Sequence, residues 1–181
     1  EPYTELDATG PKSVYGKSKL AGENEVFKYC SKSIVLRTAW VFSEHGDNFV
    51  KTMLRLGSNN DELSVVSDQL GGPTYAGDIS KAILVILDKL DEFQKFPVGV
   101  YNFSGLPHVS WDLYAGDIFK LAKKHNLIER IPTITKVQTS DFHSLAPRPS
   151  NSRLDCTKIM NVFGIEESDW KLVLENIKNY M

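Results

Sequence analysis

The chain has 181 residues, of which 41% are hydrophobic and 24% charged, a composition typical of one globular domain. The net charge of −2 argues against a nucleic-acid partner, and the longest apolar run, Ala82–Leu87, falls far short of a membrane span. We therefore expect neither a nucleic-acid nor a membrane partner.

Strands and helices are predicted to alternate along the chain. In order, the patterns indicate a helix at Val14–Cys30, a strand at Ser33–Thr38, a helix at Asp47–Leu56, a strand at Leu63–Val66, a helix at Asp78–Leu90, a strand at Val98–Phe103, a helix at Trp111–His125 capped by Ser110, a strand at Ile134–Thr139, and helices at Thr157–Phe163 and Asp169–Tyr180. Such alternation is typical of an α/β fold with a parallel sheet. The strand Ser33–Thr38 is expected to be buried on both faces, and Gly57 to end the second helix.

The cysteines and histidines bear on location and metal binding. Cys30 and Cys156 are far apart and form no CxxC motif, and the four histidines lack the spacing of metal ligands. We therefore expect reduced thiols, a cytoplasmic location and no histidine-based metal site. The chain begins Glu1-Pro2-Tyr3 without an initiator methionine or a signal-peptide pattern, which we interpret as a start in mid-protein.

The sharpest chemical feature is the pair Tyr15 and Lys19, which share one face of the first predicted helix because they are four residues apart. An ammonium beside a phenol stabilises the phenolate, so Tyr15 can donate a proton to a carbonyl oxygen while a hydride attacks the carbon. Taken alone, such a pair is more often part of a solvated helix face than of a catalytic site.

Polar and aromatic side chains stand near the ends of the predicted strands. Trp40 offers an indole face suited to a sugar ring, although a tryptophan after a strand is, on composition alone, more often part of a core. Gln69 and Thr74 flank a glycine-containing loop and offer neutral hydrogen-bonding groups. Arg148 and Arg153 carry planar guanidinium groups suited to a diphosphate.

Structural roles remain open for these residues and their neighbours. Asp68 and Gln69 suit a turn, and Asn151 and Asp155 suit the cap of the helix that follows. Arg37, inside a predicted strand, is better explained as a structural residue. Surface arginines are common, and geometry decides whether one pairs with a phosphate.

Segments along nearly the whole chain resemble, in order, the dTDP-4-dehydrorhamnose reductases of the extended short-chain dehydrogenase/reductase superfamily. The stretch SVYGKSKLAGE at 13–23 resembles the catalytic helix of that superfamily, and the strand IVLRT at 34–38 follows it, as in the superfamily, just before Trp40. The stretches NFVKTML at 48–54, LSVVSDQLGGPT at 63–74 and RPSNSRLD at 148–155 resemble later segments of the family. So ordered a set is hard to explain by chance.

The resemblance implies a fold and its division into parts. The chain would be the C-terminal part of a Rossmann-type doubly wound parallel sheet, together with a small α/β substrate-binding lobe. Residues 1–58 and 75–104 are expected to form the remaining part of the dinucleotide-binding domain. Residues 59–74 and 105–181 are expected to form the sugar-nucleotide lobe.

The resemblance also implies a reaction and the residues that serve it. The reaction is the NAD(P)H-dependent reduction of dTDP-4-dehydro-L-rhamnose to dTDP-L-rhamnose, with Tyr15 as proton donor and Lys19 as its partner. Tyr15, Lys19 and Thr38 would contact NADPH or NADH. The residues expected to contact the dTDP-sugar are Trp40, Gln69, Thr74, Arg148, Asn151 and Arg153.

Parts of the family pattern are absent from the sequence. No GxxGxxG fingerprint for a dinucleotide is found, and the glycine pair at 71–72 is followed by a proline and is no substitute. The family's catalytic Ser or Thr would stand some way before Tyr15, where these residues offer no suitable candidate. We therefore expect that the 181 residues alone have no reductase activity.

The resemblance also raises the questions of dimerisation and magnesium binding. Members of the family often form homodimers, and some hold a magnesium ion between subunits through acidic residues. Asp78 lies in the matching region, whereas Gly77 stands where a second acid is expected. We therefore assign no metal ligand and keep a homodimer as an option for the full-length protein.

Other functions remain open from the residues. A sugar-nucleotide epimerase or dehydratase of the same superfamily would share the Tyr15–Lys19 pair, although Trp40 and the segment 148–155 favour a reductase. A regulatory subunit similar to the beta subunit of methionine adenosyltransferase would share the last segment, because a cysteine follows it here. An α/β domain without activity is the third option.

Overall fold

The structure, a computed structural model, describes residues 1–141 and 148–181. The helices are α1 (Val14–Tyr29), α2 (Phe49–Asn59), α3 (Ala76–Lys89), α4 (Trp111–Lys124), α5 (Thr157–Phe163) and α6 (Trp170–Leu174). The strands are β1 (Ile34–Arg37), β2 (Val41–Phe42), β3 (Glu62–Val66), β4 (Leu70–Gly71), β5 (Thr74–Tyr75), β6 (Gly99–Asn102), β7 (Gly105–Leu106), β8 (Val109–Ser110), β9 (Thr133–Val137) and β10 (Ser168–Asp169). Turns of 3₁₀ helix cover Leu90–Glu92 and Ile177–Tyr180.

Most of the strand pairs in the described part of the chain are parallel. β1 pairs with β6, β2 with β5, β3 with β9 and β7 with β10 in parallel, while β4 and β8 are antiparallel. The parallel pairs β1–β6 and β3–β9 join strands that are separated along the chain by helices. The predicted α/β fold with parallel strands is therefore confirmed.

Two hydrophobic cores hold the helices against the strands. The first core lies between α2, β3 and α4 and is closed by C-terminal residues; Val50, Phe119 and Leu174 are fully enclosed in it. The second core lies between α3, β6 and α5 and contains Phe103 and Phe163. Burying one such large side chain stabilises the folded state by about 1.5–3 kcal/mol, so each core can order the loops beside it.

Helix α1 lies outside both cores, and none of its residues is buried. Ser13 caps it, because the Ser13 Oγ accepts a hydrogen bond of 3.0 Å from the Gly16 amide. Arg37 in β1 ties the helix to the sheet by donating to both carboxylate oxygens of Glu23, at 2.9 and 2.6 Å. The predicted structural role of Arg37 is therefore confirmed.

Strand β1 is more open than its sequence predicts. Ile34–Arg37 is half-buried along its length, so the prediction of burial on both faces is wrong. Within residues 1–141 and 148–181, β1 pairs with β6 alone, and the other edge has no neighbouring strand. A parallel strand is fully buried when helices cover both faces of its sheet, and the loosely packed α1 leaves this strand partly open.

Helix α2 continues through Gly57, so the prediction that this glycine ends the helix is wrong. Gly57 is buried, and a Cβ at this position would lie 2.6 Å from Cε1 of Phe119 in α4. The glycine therefore allows two helices to pack closely instead of ending one of them. Asn60, whose backbone is extended, ends the helix.

The predicted C-terminal helix is shorter than expected and divided. Asp169 caps α6 through its carboxylate, which accepts hydrogen bonds from the amides of Lys171 and Leu172. After α6 the backbone amides bond to carbonyls three residues earlier, which tightens the chain into the 3₁₀ turn Ile177–Tyr180. The turn places Ile177 and Tyr180 in the first core.

The N-terminal residues lie against the sheet. Tyr3 exchanges backbone hydrogen bonds of 2.8 Å with Arg153 and Asp155. The Glu5 carboxylate accepts a hydrogen bond of 2.7 Å from the backbone amide of Asn102 at the end of β6. The segment therefore connects the last loop of the chain with the strand beside β1.

Both cysteines are free thiols, as predicted; Cys30 is exposed and Cys156 is buried. Burial raises the pKa of the Cys156 thiol to about 11, and the sulfur accepts a hydrogen bond of 3.2 Å from the Ser104 amide. Among the helices of the described ranges, none combines the length and the apolar character that crossing a bilayer requires.

Replacing Gly57 with alanine is expected to destabilise the protein, whereas the same change at Gly116 in α4 is expected to stabilise it. At Gly57 the methyl group would strike the Phe119 ring, a cost of about 1–3 kcal/mol. At Gly116 the nearest atom is 3.8 Å away, and alanine favours a helix by about 1 kcal/mol. Denaturant unfolding measures both changes, and equal effects at the two sites would contradict the role given to Gly57.

Iodoacetamide is expected to alkylate Cys156 far more slowly than Cys30 in the native protein at neutral pH. The thiolate is the reactive form, and burial suppresses it at Cys156. Peptide mass spectrometry locates the label, and unfolding the protein first should make both thiols reactive. Equal alkylation rates in the native protein would show that Cys156 is not buried as described.

Candidate functional site

Tyr15 and Lys19 stand side by side on α1. The Lys19 Nζ lies 5.6 Å from the centroid of the Tyr15 ring, which confirms the prediction that they share one helix face. Tyr15 is 72% exposed. Within the described residues neither the phenol nor the ammonium has a hydrogen-bond partner through its polar atoms, so the pair is open to a ligand.

Thr38 follows β1 directly and is exposed. Ligands of open parallel α/β sheets bind beyond the carboxyl ends of the strands, and Thr38 lies at that end of β1. A phenol, an ammonium and a hydroxyl, all solvent-facing, suit the ribose hydroxyls and amide of a nicotinamide dinucleotide. The cofactor contacts of these residues stay a prediction.

Both faces of the Trp40 indole are covered. On one face it stacks on Trp111, with ring centroids 3.5 Å apart and planes 9° apart. On the other face lies the backbone of Gly71, where a Cβ would be nearest to Cε2 of the indole and 2.6 and 2.8 Å from its neighbours Nε1 and Cδ2. A point so close to three adjacent ring atoms lies above the ring. Trp40 also has a φ of 48°, which is rare for a residue other than glycine.

The sequence did not single out Trp111 as a site residue. It is the first residue of α4, and its Nε1 donates a hydrogen bond of 3.2 Å to Oε1 of Gln69. The ring of Phe49 lies 4.4 Å from it. Ser110 precedes the helix as predicted, but its hydroxyl donates to the Asp112 carboxylate and caps no amide. An aromatic residue at the start of a helix is usually interpreted as a core residue, so the sequence around Trp111 did not indicate a binding site.

Gln69 connects Trp111 to the residues that follow β9. Gln69 is buried, and its Nε2 donates a hydrogen bond of 3.0 Å to Oγ1 of Thr139. Asp68 accepts from the amide and the hydroxyl of the same threonine, at 3.0 and 2.7 Å, and these bonds lower the pKa of Asp68. Both ends of the Gln69 amide are engaged within the protein, and its contact with a sugar nucleotide stays a prediction.

Thr74 is fully enclosed, with 0% of its surface exposed. Its hydroxyl lies 2.7 Å from the Ala39 carbonyl and 3.0 Å from the Gly72 carbonyl, and it accepts a hydrogen bond of 3.1 Å from the Gly105 amide. Backbone groups therefore occupy both the donor and the acceptor capacity of the Thr74 hydroxyl. Thr74 has a positioning role in this geometry, and it offers no surface for the predicted contact with a sugar nucleotide.

The segment that follows the undescribed residues 142–147 runs beside β4. The Leu70 amide donates a hydrogen bond of 2.8 Å to the Ser150 carbonyl, and Leu70 forms a β-bridge with Asn151. This pairing brings Asn151 next to the strand that carries Gly71. The Asn151 Oδ1 accepts from Nε of Arg153 at 2.9 Å, so these two predicted residues lie together.

The two predicted arginines have different surroundings. Arg153 is half-buried, and its charge helps to lower the pKa of His108, for which burial is the larger cause. Arg148 is exposed. Their roles towards a diphosphate, like that of Asn151, stay predictions.

The structure thus gathers the predicted residues into two groups. Trp40, Gln69 and Asn151 surround β4, and Tyr15 and Lys19 stand on α1. No hydrogen bond, ion pair or ring stack within residues 1–141 and 148–181 joins the two groups directly. β1 connects them along the chain, because α1 precedes this strand and Trp40 follows it.

A cleft of about 380 Å³ lies along α4 and is lined by none of the predicted site residues. Four of its charged side chains form ion pairs, Lys136 with Asp112 at 3.0 Å and Lys120 with Asp117 at 3.1 Å, and Lys171 lies over the ring of Trp170. We therefore place the candidate site around Trp40 and α1 and not in this cleft.

Acidic residues form no metal-binding cluster in the described ranges. Asp78, the acid considered for magnesium, accepts a hydrogen bond of 2.8 Å from the Ser168 hydroxyl and pairs with Lys81 at 3.3 Å. Its carboxylate is thus engaged by neighbouring side chains.

Comparison with known proteins relates the whole chain to one family. Residues 1–181 match the family described as the RmlD substrate binding domain. The chain is 48% identical over 178 residues to a dTDP-4-dehydrorhamnose reductase of Aggregatibacter actinomycetemcomitans, an alignment that covers 98% of this chain and 60% of that protein. The chain therefore spans about 60% of the length of this curated relative.

Solved structures of dTDP-4-dehydrorhamnose reductases share the fold. The enzyme from Clostridium acetobutylicum gives a TM-score of 0.86 at 36% identity, covering 97% of this chain and 58% of that one. The enzyme from Bacillus anthracis, solved in complex with NADP, gives a TM-score of 0.80 at 34% identity, covering 97% and 58%. These likenesses confirm the predicted Rossmann-type fold class.

Replacing Gly71 with alanine is expected to displace the Trp40 indole and weaken its stack on Trp111. The new methyl group would enter the space above the ring, and such overpacking costs about 1–3 kcal/mol. Circular dichroism would show the loss of the exciton couplet that two stacked indoles produce. Gly10→Ala is the control, because a Cβ there meets nothing within 4 Å, and an unchanged couplet in the Gly71 variant would contradict the described packing.

Proposed function

The chain belongs to the RmlD substrate binding domain family, and from this we propose that the protein reduces dTDP-4-dehydro-L-rhamnose to dTDP-L-rhamnose with NADPH or NADH. The observation that carries the proposal is the adjacent, solvent-facing phenol of Tyr15 and ammonium of Lys19. The names of the relatives and the NADP bound to the Bacillus anthracis enzyme support the same reaction and cofactor.

Tyr15 is the proposed proton donor to the oxygen at C4 of the keto sugar. A bound nicotinamide dinucleotide supplies the hydride. The ammonium of Lys19 stabilises the phenolate that remains after the proton leaves, because it lies beside the Tyr15 ring. Lys19 and Thr38 would also hold ribose and amide groups of the cofactor by hydrogen bonds.

The residues around β4 are proposed to bind the dTDP-sugar. The indole of Trp40 supplies an apolar surface for the sugar ring. Asn151 and Gln69 supply hydrogen-bonding groups close to it, and Arg153 and Arg148 supply guanidinium groups for the diphosphate. Thr74 contributes indirectly, by holding the backbone on which Trp40 stands.

We further propose that the chain contains two parts of the family's fold. The predicted boundaries, 1–58 with 75–104 for the cofactor part and 59–74 with 105–181 for the sugar-nucleotide part, stay a prediction. α2, from the predicted cofactor part, packs with α4 in the first core. α5, from the predicted sugar-nucleotide part, packs with α3 in the second core. The two parts therefore interlock at these helices.

The complete activity needs more than the residues described. We propose that the 181 residues alone are inactive, since they contain no dinucleotide fingerprint and cover about 60% of a curated relative. We propose a cytosolic location from the two free thiols. A homodimer of the full protein stays a proposal, and no magnesium ligand is assigned.

In the full-length protein, Tyr15→Phe is expected to lower kcat by about 10²–10⁴-fold, because the variant lacks the proton donor. Consumption of NADPH with the dTDP-keto sugar measures the rate, and fluorescence of NADPH on binding checks that the cofactor site is intact. Tyr29→Phe is the matched control, since Tyr29 is an exposed tyrosine at the far end of the same helix and should keep full activity.

Product analysis separates reduction from related reactions. One NADPH consumed for each dTDP-rhamnose formed supports the proposal. Turnover of a nucleotide-sugar without net consumption of NADPH would indicate an epimerase or dehydratase and overturn the assignment. Full activity of Tyr15→Phe would remove Tyr15 from the mechanism.

A further inference from the structure

We propose that Trp111 is a specificity-determining residue: its indole covers the sugar-binding face of Trp40 in the free protein and is displaced when the sugar ring of a nucleotide-sugar binds. The inference rests on the proposed function, because it takes a dTDP-sugar as the ligand. It goes further by stating which face of Trp40 receives the sugar and what must move.

One face of Trp40 is closed by backbone that other strands hold in place. Gly71, which covers this face, belongs to β4, and β4 is paired with β8 on one side and bridged to Asn151 on the other. The Trp40 carbonyl also accepts a hydrogen bond of 3.1 Å from the Thr74 amide. Opening this face would require strands to separate, so no sugar ring enters there.

The other face is closed by the Trp111 side chain, which also packs on the ring of Phe49 at the edge of the first core. Trp111 is half-buried at the first residue of α4, and one hydrogen bond, of 3.2 Å to Gln69, restrains its indole N–H. Losing a neutral hydrogen bond of this kind changes an equilibrium by a factor of about 2 to 12. Displacement of Trp111 gives up this hydrogen bond together with its aromatic contacts, and the proposal requires the bound sugar ring to replace both.

The geometry of the stack makes this contact easy to exchange. The centroid separation of 3.5 Å at an angle of 9° leaves almost no lateral offset between the indoles. Aromatic pairs prefer an offset, with centroids about 4.5–7 Å apart, because directly superposed π faces repel each other. The C–H face of a pyranose carries no such π cloud, so it replaces Trp111 on Trp40 without this repulsion.

Displacement of Trp111 would expose the face of Trp40 and the Oε1 of Gln69 together. The Oε1 of Gln69 loses the indole N–H and becomes free to accept a hydrogen bond from a sugar hydroxyl. The Nε2 of Gln69 stays bonded to Thr139, which keeps the amide in its orientation. A pyranose, with its apolar ring face and the hydroxyls at its edge, meets both requirements, whereas dTDP alone lacks this ring.

Circular dichroism of the full-length protein tests the displacement. Saturating dTDP-L-rhamnose is expected to abolish the exciton couplet of the Trp40–Trp111 stack, whereas dTDP alone is expected to leave it. Trp111→Phe identifies the couplet, because this variant cannot produce it. A couplet that persists with bound dTDP-L-rhamnose would overturn the proposal.

Calorimetric titration tests the specificity. Trp111→Ala removes the cover and is expected to bind dTDP-L-rhamnose about 3- to 10-fold more tightly, because no fraction of the protein is closed. Its affinity for dTDP should be unchanged. Leu113→Ala, at an exposed site in the same helix, is the control and should match the wild type for both ligands. Should Trp111→Ala not fold, Trp111→Phe, which lacks the indole N–H, is expected to shift affinity in the same direction by a smaller factor.

The outcomes separate this inference from the proposed function. Reductase activity together with weaker binding of dTDP-L-rhamnose by the Trp111 variants would retain the function and overturn the cover. Loss of the couplet on binding, without any NADPH consumption, would retain the cover and overturn the reductase. A wild-type protein that neither binds nor turns over the nucleotide-sugar would overturn both.

Discussion

The buried hydroxyl of Thr74 joins three stretches of backbone, at Ala39, Gly72 and Gly105. The chains meet so closely here that a Cβ on Gly105 would lie 2.9 Å from the carbonyl carbon of Pro73. β2, which follows Ala39, leads into the first core, and β6, which precedes Gly105, belongs to the second. The position of each core relative to the other, and of Trp40 beside Ala39, therefore depends on this junction.

The candidate site divides along the same line. The residues proposed to bind the sugar surround β4 and the start of α4, beside the first core and the Thr74 junction. The pair Tyr15 and Lys19 stands on a helix with no buried residue. A packed support for the residues proposed to position the sugar, and an open face for the pair proposed to meet the cofactor, suit a reaction between two bound molecules.

The sequence predicted the long elements and the spacing of Tyr15 and Lys19, because helical periodicity is a local property. It did not predict the two-residue strands, which are too short to show a period. It read Gly57 as a helix end because its close approach to Phe119 is a contact between distant residues. The enclosure of Thr74 and the stacking of Trp111 arise in the same way, from tertiary packing that no local pattern records.

The ion pair between Arg37 and Glu23 has a consequence for how the sequence can drift over time. The two side chains are 24% and 17% exposed, so losing one would leave the other as a poorly hydrated, uncompensated charge. Removing one member of such a pair is far more harmful than replacing both by apolar groups of similar size. Positions 23 and 37 should therefore covary among homologous sequences: both residues are kept, or both are replaced together.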